Sequence, residues 1–213
     1  MAESGKNIII LLFVRWPEPG RVKTRLAAAL GADLACEIYK RLAERAFAEG
    51  IKVAGAQLIV CGTGASPDAF AHWLVGAPAY WNQPEGELGE RLAVLFARAF
   101  DSGSDMVLAI GSDAPTLDAD AITTAVDALA SHDVSILPAE DGGYVLIGLQ
   151  RMADRLFAEM PWSTDRLLQA TRERCESERL ALWVGTPFPD VDTVEDWHGL
   201  SHLLKHHPIG ESQ

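Results

Sequence analysis

The run Met106-Val107-Leu108-Ala109-Ile110 has no polar side chain on either alternate face, so a strand built from it must be covered on both sides. Such strands belong to sheets with helices packed above and below. Ile8 to Leu12 is a second such run, and Gln57 to Cys61, Val134 to Leu137, Tyr144 to Leu149 and Leu180 to Val184 read as further strands. Pro78 to Trp81 fits a strand only at a sheet edge, because proline cannot donate into a ladder. Between the strands apolar residues recur at helical spacing. Leu34, Ile38, Tyr39, Leu42 and Ala46 lead to Gly50, Leu92, Leu95, Phe96 and Ala99 mark a helix over Leu88 to Phe100, and Ala121 to Leu129 follow an Asp118 cap. Ser66-Pro67 opens a short helix, Ser163 is expected to cap one running through Arg174, and Thr193 with Asp196 forms a capping-box pair for the last. Strands alternating with helices imply crossover connections, hence an α/β fold: a three-layer α/β/α sandwich with a mainly parallel sheet. The expected organisation is one domain over residues 1–205 and a C-terminal tail over 206–213 that includes His206-His207.

Directly after the first strand comes Phe13-Val14-Arg15-Trp16-Pro17-Glu18-Pro19-Gly20-Arg21-Val22-Lys23-Thr24-Arg25-Leu26. The two prolines stop the strand, Gly20 permits a backbone turn, and a helix is expected over Val22 to Leu30. Arg15, Arg21, Lys23 and Arg25 face only one carboxylate, Glu18, in a chain whose formal net charge is −12. A cationic loop between a strand and a helix start suits phosphate. It is not a Walker A loop, since Val22 rather than glycine precedes Lys23-Thr24, and Gly62-Thr63-Gly64 lacks the third glycine of a dinucleotide fingerprint, Pro67 standing there.

The acidic balance argues against general nucleic-acid binding, which depends on cations that neutralise phosphates. Cys36, Cys61 and Cys175 form no C-x-x-C pair, so reduced, buried thiols are expected, without a disulfide framework or thiolate zinc site. Ile8 to Val14 is too short for a membrane span, and a cytoplasmic, soluble protein is the expectation.

In open α/β sheets ligands lie beyond the carboxyl ends of the strands. Asp113 follows the Met106 to Ile110 strand, Glu140-Asp141-Gly142-Gly143 follows Val134 to Leu137, and Asp190 and Asp192 follow the last strand. Carboxylates gathered beside a phosphate loop repel it unless a divalent ion lies between them, so Mg²⁺ or Mn²⁺ is implied. Gly86-Glu87-Leu88-Gly89-Glu90-Arg91 is a second mixed cluster, readable as ordinary capping or as part of the site. Ser112 lies in Gly-Ser-Asp-Ala and not in a nucleophile elbow.

The ordered set of the basic loop, Gly86 to Arg91, Gly111 to Pro115, Pro138 to Tyr144, Trp162-Ser163-Thr164 and Asp190 to Asp196 resembles the bacterial glycosyltransferase A-like family associated with arsenosugar biosynthesis. The resemblance implies a nucleotide-diphospho-sugar transferase fold with a nucleotide at the first strand and a divalent metal held by an Asp at a D-x-D-type position. Asp113 matches that position, but Gly111 stands where the first carboxylate would be. That departure resembles the nucleotidyltransferases of the same superfamily, which use a single Asp there and a second carboxylate late in the chain, here Asp192 or Asp190. The expected function is a metal-dependent transferase using a nucleoside-diphosphate sugar and a small-molecule acceptor, or alternatively a nucleotidyltransferase releasing pyrophosphate. Arg15, Gly20, Arg21, Lys23, Arg25 and Arg91 are the candidate phosphate and nucleotide ligands, Asp113, Asp192 and Asp190 the candidate metal ligands, and Asp141, Glu140 and Tyr144 the candidate catalytic residues.

Overall fold

The computed structural model describes residues 6–204. Its strands are β1 (Ile8–Arg15), β2 (Ala56–Thr63), β3 (Ala79–Asn82), β4 (Met106–Ile110), β5 (Val134–Pro138), β6 (Tyr144–Leu149) and β7 (Leu182–Val184). Its helices are α1 (Thr24–Leu30), α2 (Ala32–Gly50), α3 (Pro67–Trp73), α4 (Leu88–Asp101), α5 (Ala119–Ala128), α6 (Leu167–Ser177) and α7 (Val194–Leu200). All seven strands share one sheet in the order β3-β2-β1-β4-β6-β5-β7. β6 alone runs against the others, pairing antiparallel with β4 and β5. The mainly parallel sheet is therefore as expected, with one reversed strand supplied by the β5–β6 hairpin.

Strand alternation divides the core in two. Ile10, Leu12, Leu108 and Ile110 face α2, α3 and α5, whereas Ile9, Leu11, Val107 and Ala109 face α4 and α6. Every residue of β4 is buried, the physical reason its sequence carries no polar side chain. A third, smaller cluster joins α1 to α2 through Leu26, Ala35, Ile38 and Leu42, and Val191 enters it from the loop after β7. That cluster ties the two ends of the chain together.

Local signals fared unevenly. Ser66 caps α3 by accepting from Ala69 N at 3.3 Å, Asp118 caps α5 by accepting from Ala121 N at 2.9 Å, and Thr193 and Asp196 form the expected capping box. β3 is an edge strand, paired only with β2. Ser163 does not cap a helix: its φ is 60°, and α6 begins at Leu167 after a turn through Thr164. Leu34 is 48% exposed, because α2 turns Ala35 and Ile38 inward instead. The expected helix from Val22 starts at Thr24, with Val22 buried as a plug beneath the loop. The tail over 206–213, with His206-His207, lies outside the described residues.

Candidate functional site

β1 and β4 are parallel neighbours, so the loops leaving their carboxyl ends emerge side by side. The β1 end is fastened from α2: the buried Tyr39 hydroxyl accepts from Arg15 N at 2.7 Å and donates to Arg15 O at 3.1 Å. Burial pushes that phenol up to about 12, so it stays a neutral clamp. Beyond Arg15 the loop folds back and delivers Lys23 in a left-handed conformation, φ 45° and ψ 51°, at the start of α1. Leu26, one turn on, is fully buried and anchors the helix.

The acidic partners arrive from two distant segments. Asp113 follows β4, and its carbonyl accepts from Val191 N at 3.0 Å. Val191 is fully buried in the cluster with Leu26, Ile38 and Leu42, which leaves its neighbour Asp192 beside the loop of β1. Burying a valine contributes about 1.5–3 kcal/mol, enough to fix where Asp192 sits. Asp196 holds the same backbone by accepting from Asp192 N at 3.0 Å and Thr193 N at 2.7 Å.

Lys23 Nζ lies 2.7 Å from Asp113 Oδ1 and 2.8 Å from Asp192 Oδ1. Burial acts to lower its pKa, but the two carboxylates outweigh that and hold it above the ordinary lysine value, so the ammonium is charged at neutral pH. Arg25 lies 3.6 Å from Asp192 Oδ2, Arg21 pairs with Glu18 at 3.1 Å, and Arg15 donates to Arg21 O at 3.2 Å. Together Arg15, Arg21, Lys23, Thr24, Arg25, Asp113 and Asp192 line a cleft of ≈ 330 Å³. A larger cavity, ≈ 690 Å³, is lined by Trp16 and Trp73, but Asp33, Glu37 and Glu44 against Lys40 make it a poor host for phosphate.

The remaining sequence candidates are distributed around the cleft. Gly20, at φ 79°, makes the exposed turn before Arg21. Arg91 lies on α4, where its guanidinium donates to Gln83 Oε1 at 3.1 Å and its Nε is buried without a partner. Gln83 in turn donates to Val14 O at 3.2 Å and Cys61 O at 2.7 Å, stitching β1 and β2 together and aiming Arg91. Glu140 and Asp141 are exposed on the β5–β6 hairpin, and Asp141 Oδ1 accepts from Gly143 N at 2.9 Å. Gly142, at φ 92°, admits the backbone of Asp165, so the close approach that the Gly-Gly pair permits is made by the chain itself. Asp190 is half-buried, and burial, then the charges of Asp141 and Asp192, push it up to about 6. The Tyr144 ring helps line a small apolar cavity of ≈ 120 Å³ with Phe13, Leu88 and Trp162. Its hydroxyl is buried and kept protonated by that burial.

Sequence reading missed Gln83, Tyr39 and Val191, which position the charged groups. The available signal for Val191 was a lone apolar residue between two aspartates in a proline-rich loop. Gln83 and Tyr39 carried none, since the backbone atoms they bond, on β1 and β2, are far away in sequence.

Among the described residues no group of three or more His, Cys, Asp or Glu side chains stands close enough to hold a metal ion. Asp113 and Asp192 nevertheless form a pair suited to a hard cation. Asp113 Oδ1 is buried, and its one cationic neighbour, Lys23 Nζ at 2.7 Å, is poorly aligned for a hydrogen bond. Two carboxylates completed by phosphate oxygens and water are how Mg²⁺ is commonly held.

Residues 46–164 match the family described as "Uncharacterized protein conserved in bacteria (DUF2064)". None of the curated proteins matches the chain by sequence. A protein from Desulfovibrio desulfuricans G20, provisionally named a nucleotide-diphospho-sugar transferase, is 32% identical, with 97% of this chain and 91% of that one covered at a TM-score of 0.86. The 4-diphosphocytidyl-2C-methyl-D-erythritol synthase of Anaerococcus prevotii DSM 20548 shares the fold at 13% identity and a TM-score of 0.66, over 95% of this chain and all of that one. Rv0371c of Mycobacterium tuberculosis H37Rv, solved with manganese, shares it at 16% identity and a TM-score of 0.51, over 95% and 100%. The nucleotide-diphospho-sugar transferase fold is thereby established; none of these three names mentions arsenosugars.

Proposed function

This chain belongs to the bacterial DUF2064 family, and within it we propose a divalent-metal-dependent transferase that uses a nucleoside-diphosphate sugar as glycosyl donor. The observation that carries this reading is the convergence of Lys23, Asp113 and Asp192, from three separate segments, on one cleft rimmed by exposed arginines. A diphosphate brings negative charge that the solvent-accessible Arg15, Arg21 and Arg25 would meet, while Asp113 and Asp192 would hold the cation. When bound, the ion would neutralise the charge that builds on the leaving diphosphate. The arginines do the same from the protein side, already oriented by Glu18 and by the backbone of Arg21.

The sugar and acceptor would lie toward the β5–β6 hairpin. Glu140 and Asp141 are exposed there and free of cationic partners among the described residues, so either would take the proton from an attacking hydroxyl. Tyr144, neutral and facing an apolar cavity, would contribute its ring to packing against the acceptor. Gly20 would let phosphate approach the backbone, and Arg91, aimed by Gln83, would reach the nucleotide from α4.

A second reading, nucleotidyl transfer to a phosphorylated acceptor with release of pyrophosphate, is favoured by Gly111, which leaves Asp113 as the single carboxylate after β4. Product identification separates the two. With Mn²⁺ and panels of nucleotide sugars and nucleoside triphosphates, release of a nucleoside diphosphate supports glycosyl transfer and release of pyrophosphate supports the second reading. Turnover of neither panel, with metal present, would remove both.

A further inference from the structure

Lys23 is unlike the cations around it. The side chains of Arg21 and Arg25 are 73% and 79% accessible, whereas that of Lys23 is 5% accessible and packed between two carboxylates. It reaches them only because its backbone takes up a left-handed conformation that a residue with a Cβ ordinarily avoids, φ 45° and ψ 51°. The fit at the far end is also incomplete. Nζ donates to Asp192 Oδ1, yet the equally short contact to Asp113 Oδ1 lacks hydrogen-bond alignment, and that oxygen is buried with no other donor. An ammonium meets its acceptors through three N–H bonds set at tetrahedral angles to one another, whereas a metal ion needs no donor hydrogen aligned with each oxygen and carries twice the charge.

Resting on the metal-dependent reading above, we infer that Lys23 is a tethered placeholder for the cation, holding Asp113 and Asp192 together until a divalent ion displaces its ammonium toward the phosphate side of the same cleft. The charges require an exchange. A divalent ion neutralises two carboxylates and a single ammonium only partly offsets them, but a metal and Lys23 together would set three positive charges against two negative ones at contact distance. The displaced ammonium has a destination, because Lys23 lines the cleft together with Arg15, Arg21 and Arg25, where a diphosphate would receive it. Metal binding and phosphate binding then favour each other: each ligand removes the obstacle the other meets, and the coupling is reciprocal. The device keeps metal affinity low until the anionic substrate arrives, and it holds the acidic pair together meanwhile.

The test measures Mn²⁺ binding to the full chain by electron paramagnetic resonance without nucleotide, in wild type and in Lys23→Met. Removing the competing ammonium should tighten Mn²⁺ binding by about tenfold or more; equal or weaker binding by a folded Lys23→Met overturns the inference. Because that variant leaves two carboxylates unpaired and can lose its fold, amine-selective labelling of wild type, read by mass spectrometry, gives an independent measure. Lys23 should label slowly without metal and about fivefold faster or more with saturating Mn²⁺; unchanged protection overturns the inference. If Mn²⁺ binds wild type while Lys23 stays protected, the metal site stands and the exchange does not. If Mn²⁺ binds neither protein, the metal reading itself falls and the inference with it.

Discussion

The cleft at the end of β1 and the hairpin between β5 and β6 both present carboxylates beyond the carboxyl edge of the sheet, but they are built in opposite ways. In the cleft, Asp113 and Asp192 come from segments about 80 residues apart, joined by the Val191–Asp113 backbone bond and by a buried valine, and a buried ammonium compensates them. On the hairpin, the Asp141 carboxylate bonds within its own turn, accepting from Gly143 N, and Glu140 and Asp141 stand in solvent. Paired, preorganised charge is what binding a cation and a diphosphate needs. A carboxylate without a cationic partner is open to an attacking hydroxyl.

That contrast can be broken by substitution, beginning with the largest effect. Asp113→Asn should lower metal-dependent turnover by about 10²–10³-fold and weaken nucleotide binding as well; a steady-state assay that found less than a tenfold loss would move the metal elsewhere. Asp141→Asn should lower kcat by about 10²-fold and leave nucleotide affinity unchanged, as calorimetry would register. Lost affinity there would merge the two regions into one binding site. Val191→Ala should cost about 1–3 kcal/mol in a denaturant melt and weaken Mn²⁺ binding without touching any charged group. An unaltered Mn²⁺ affinity would mean that the plug does not position Asp192.

The smallest effect lies between the regions, at Asp190. Its folded pKa is raised to about 6, so the folded state holds its proton more tightly than the unfolded one. Stability contributed by that proton is full below about pH 4 and is lost as pH climbs to about 6, leaving a charged Asp190 that costs roughly 1 kcal/mol above it once solvent screening is allowed for. Asp190→Asn in metal-free protein should therefore be more stable than wild type at pH 7.5 and indistinguishable from it below pH 4. Thermal melts across that range would show a pH-independent difference if neither burial nor the Asp141 and Asp192 charges acted on it.

What could be read in the sequence follows the same division. The apolar runs, the edge proline and the caps at Ser66, Asp118 and Thr193 depend on neighbours in the chain, and they placed the elements. The basic loop and Asp113 were recognisable because strand ends are where ligands lie in such sheets. What could not be read depends on distance. Nothing local says that Lys23 faces Asp192 rather than solvent, that Tyr39 clamps Arg15, or that Gln83 aims Arg91. Ser163 shows the reverse error: a good capping residue by type, it lies at φ 60° in the turn between Trp162, packed on Gly89, and Asp165, packed on Gly142.

The most direct test of the account is a crystal grown with Mn²⁺ and a nucleoside diphosphate, its metal located by anomalous scattering. The account predicts one peak about 2.1–2.3 Å from oxygens of both Asp113 and Asp192 and of the diphosphate, with Arg21 and Arg25 on the same phosphates. A peak at Asp141 and Asp190 instead, or a diphosphate bound away from the arginines while Lys23 still bridges Asp113 and Asp192, would contradict it.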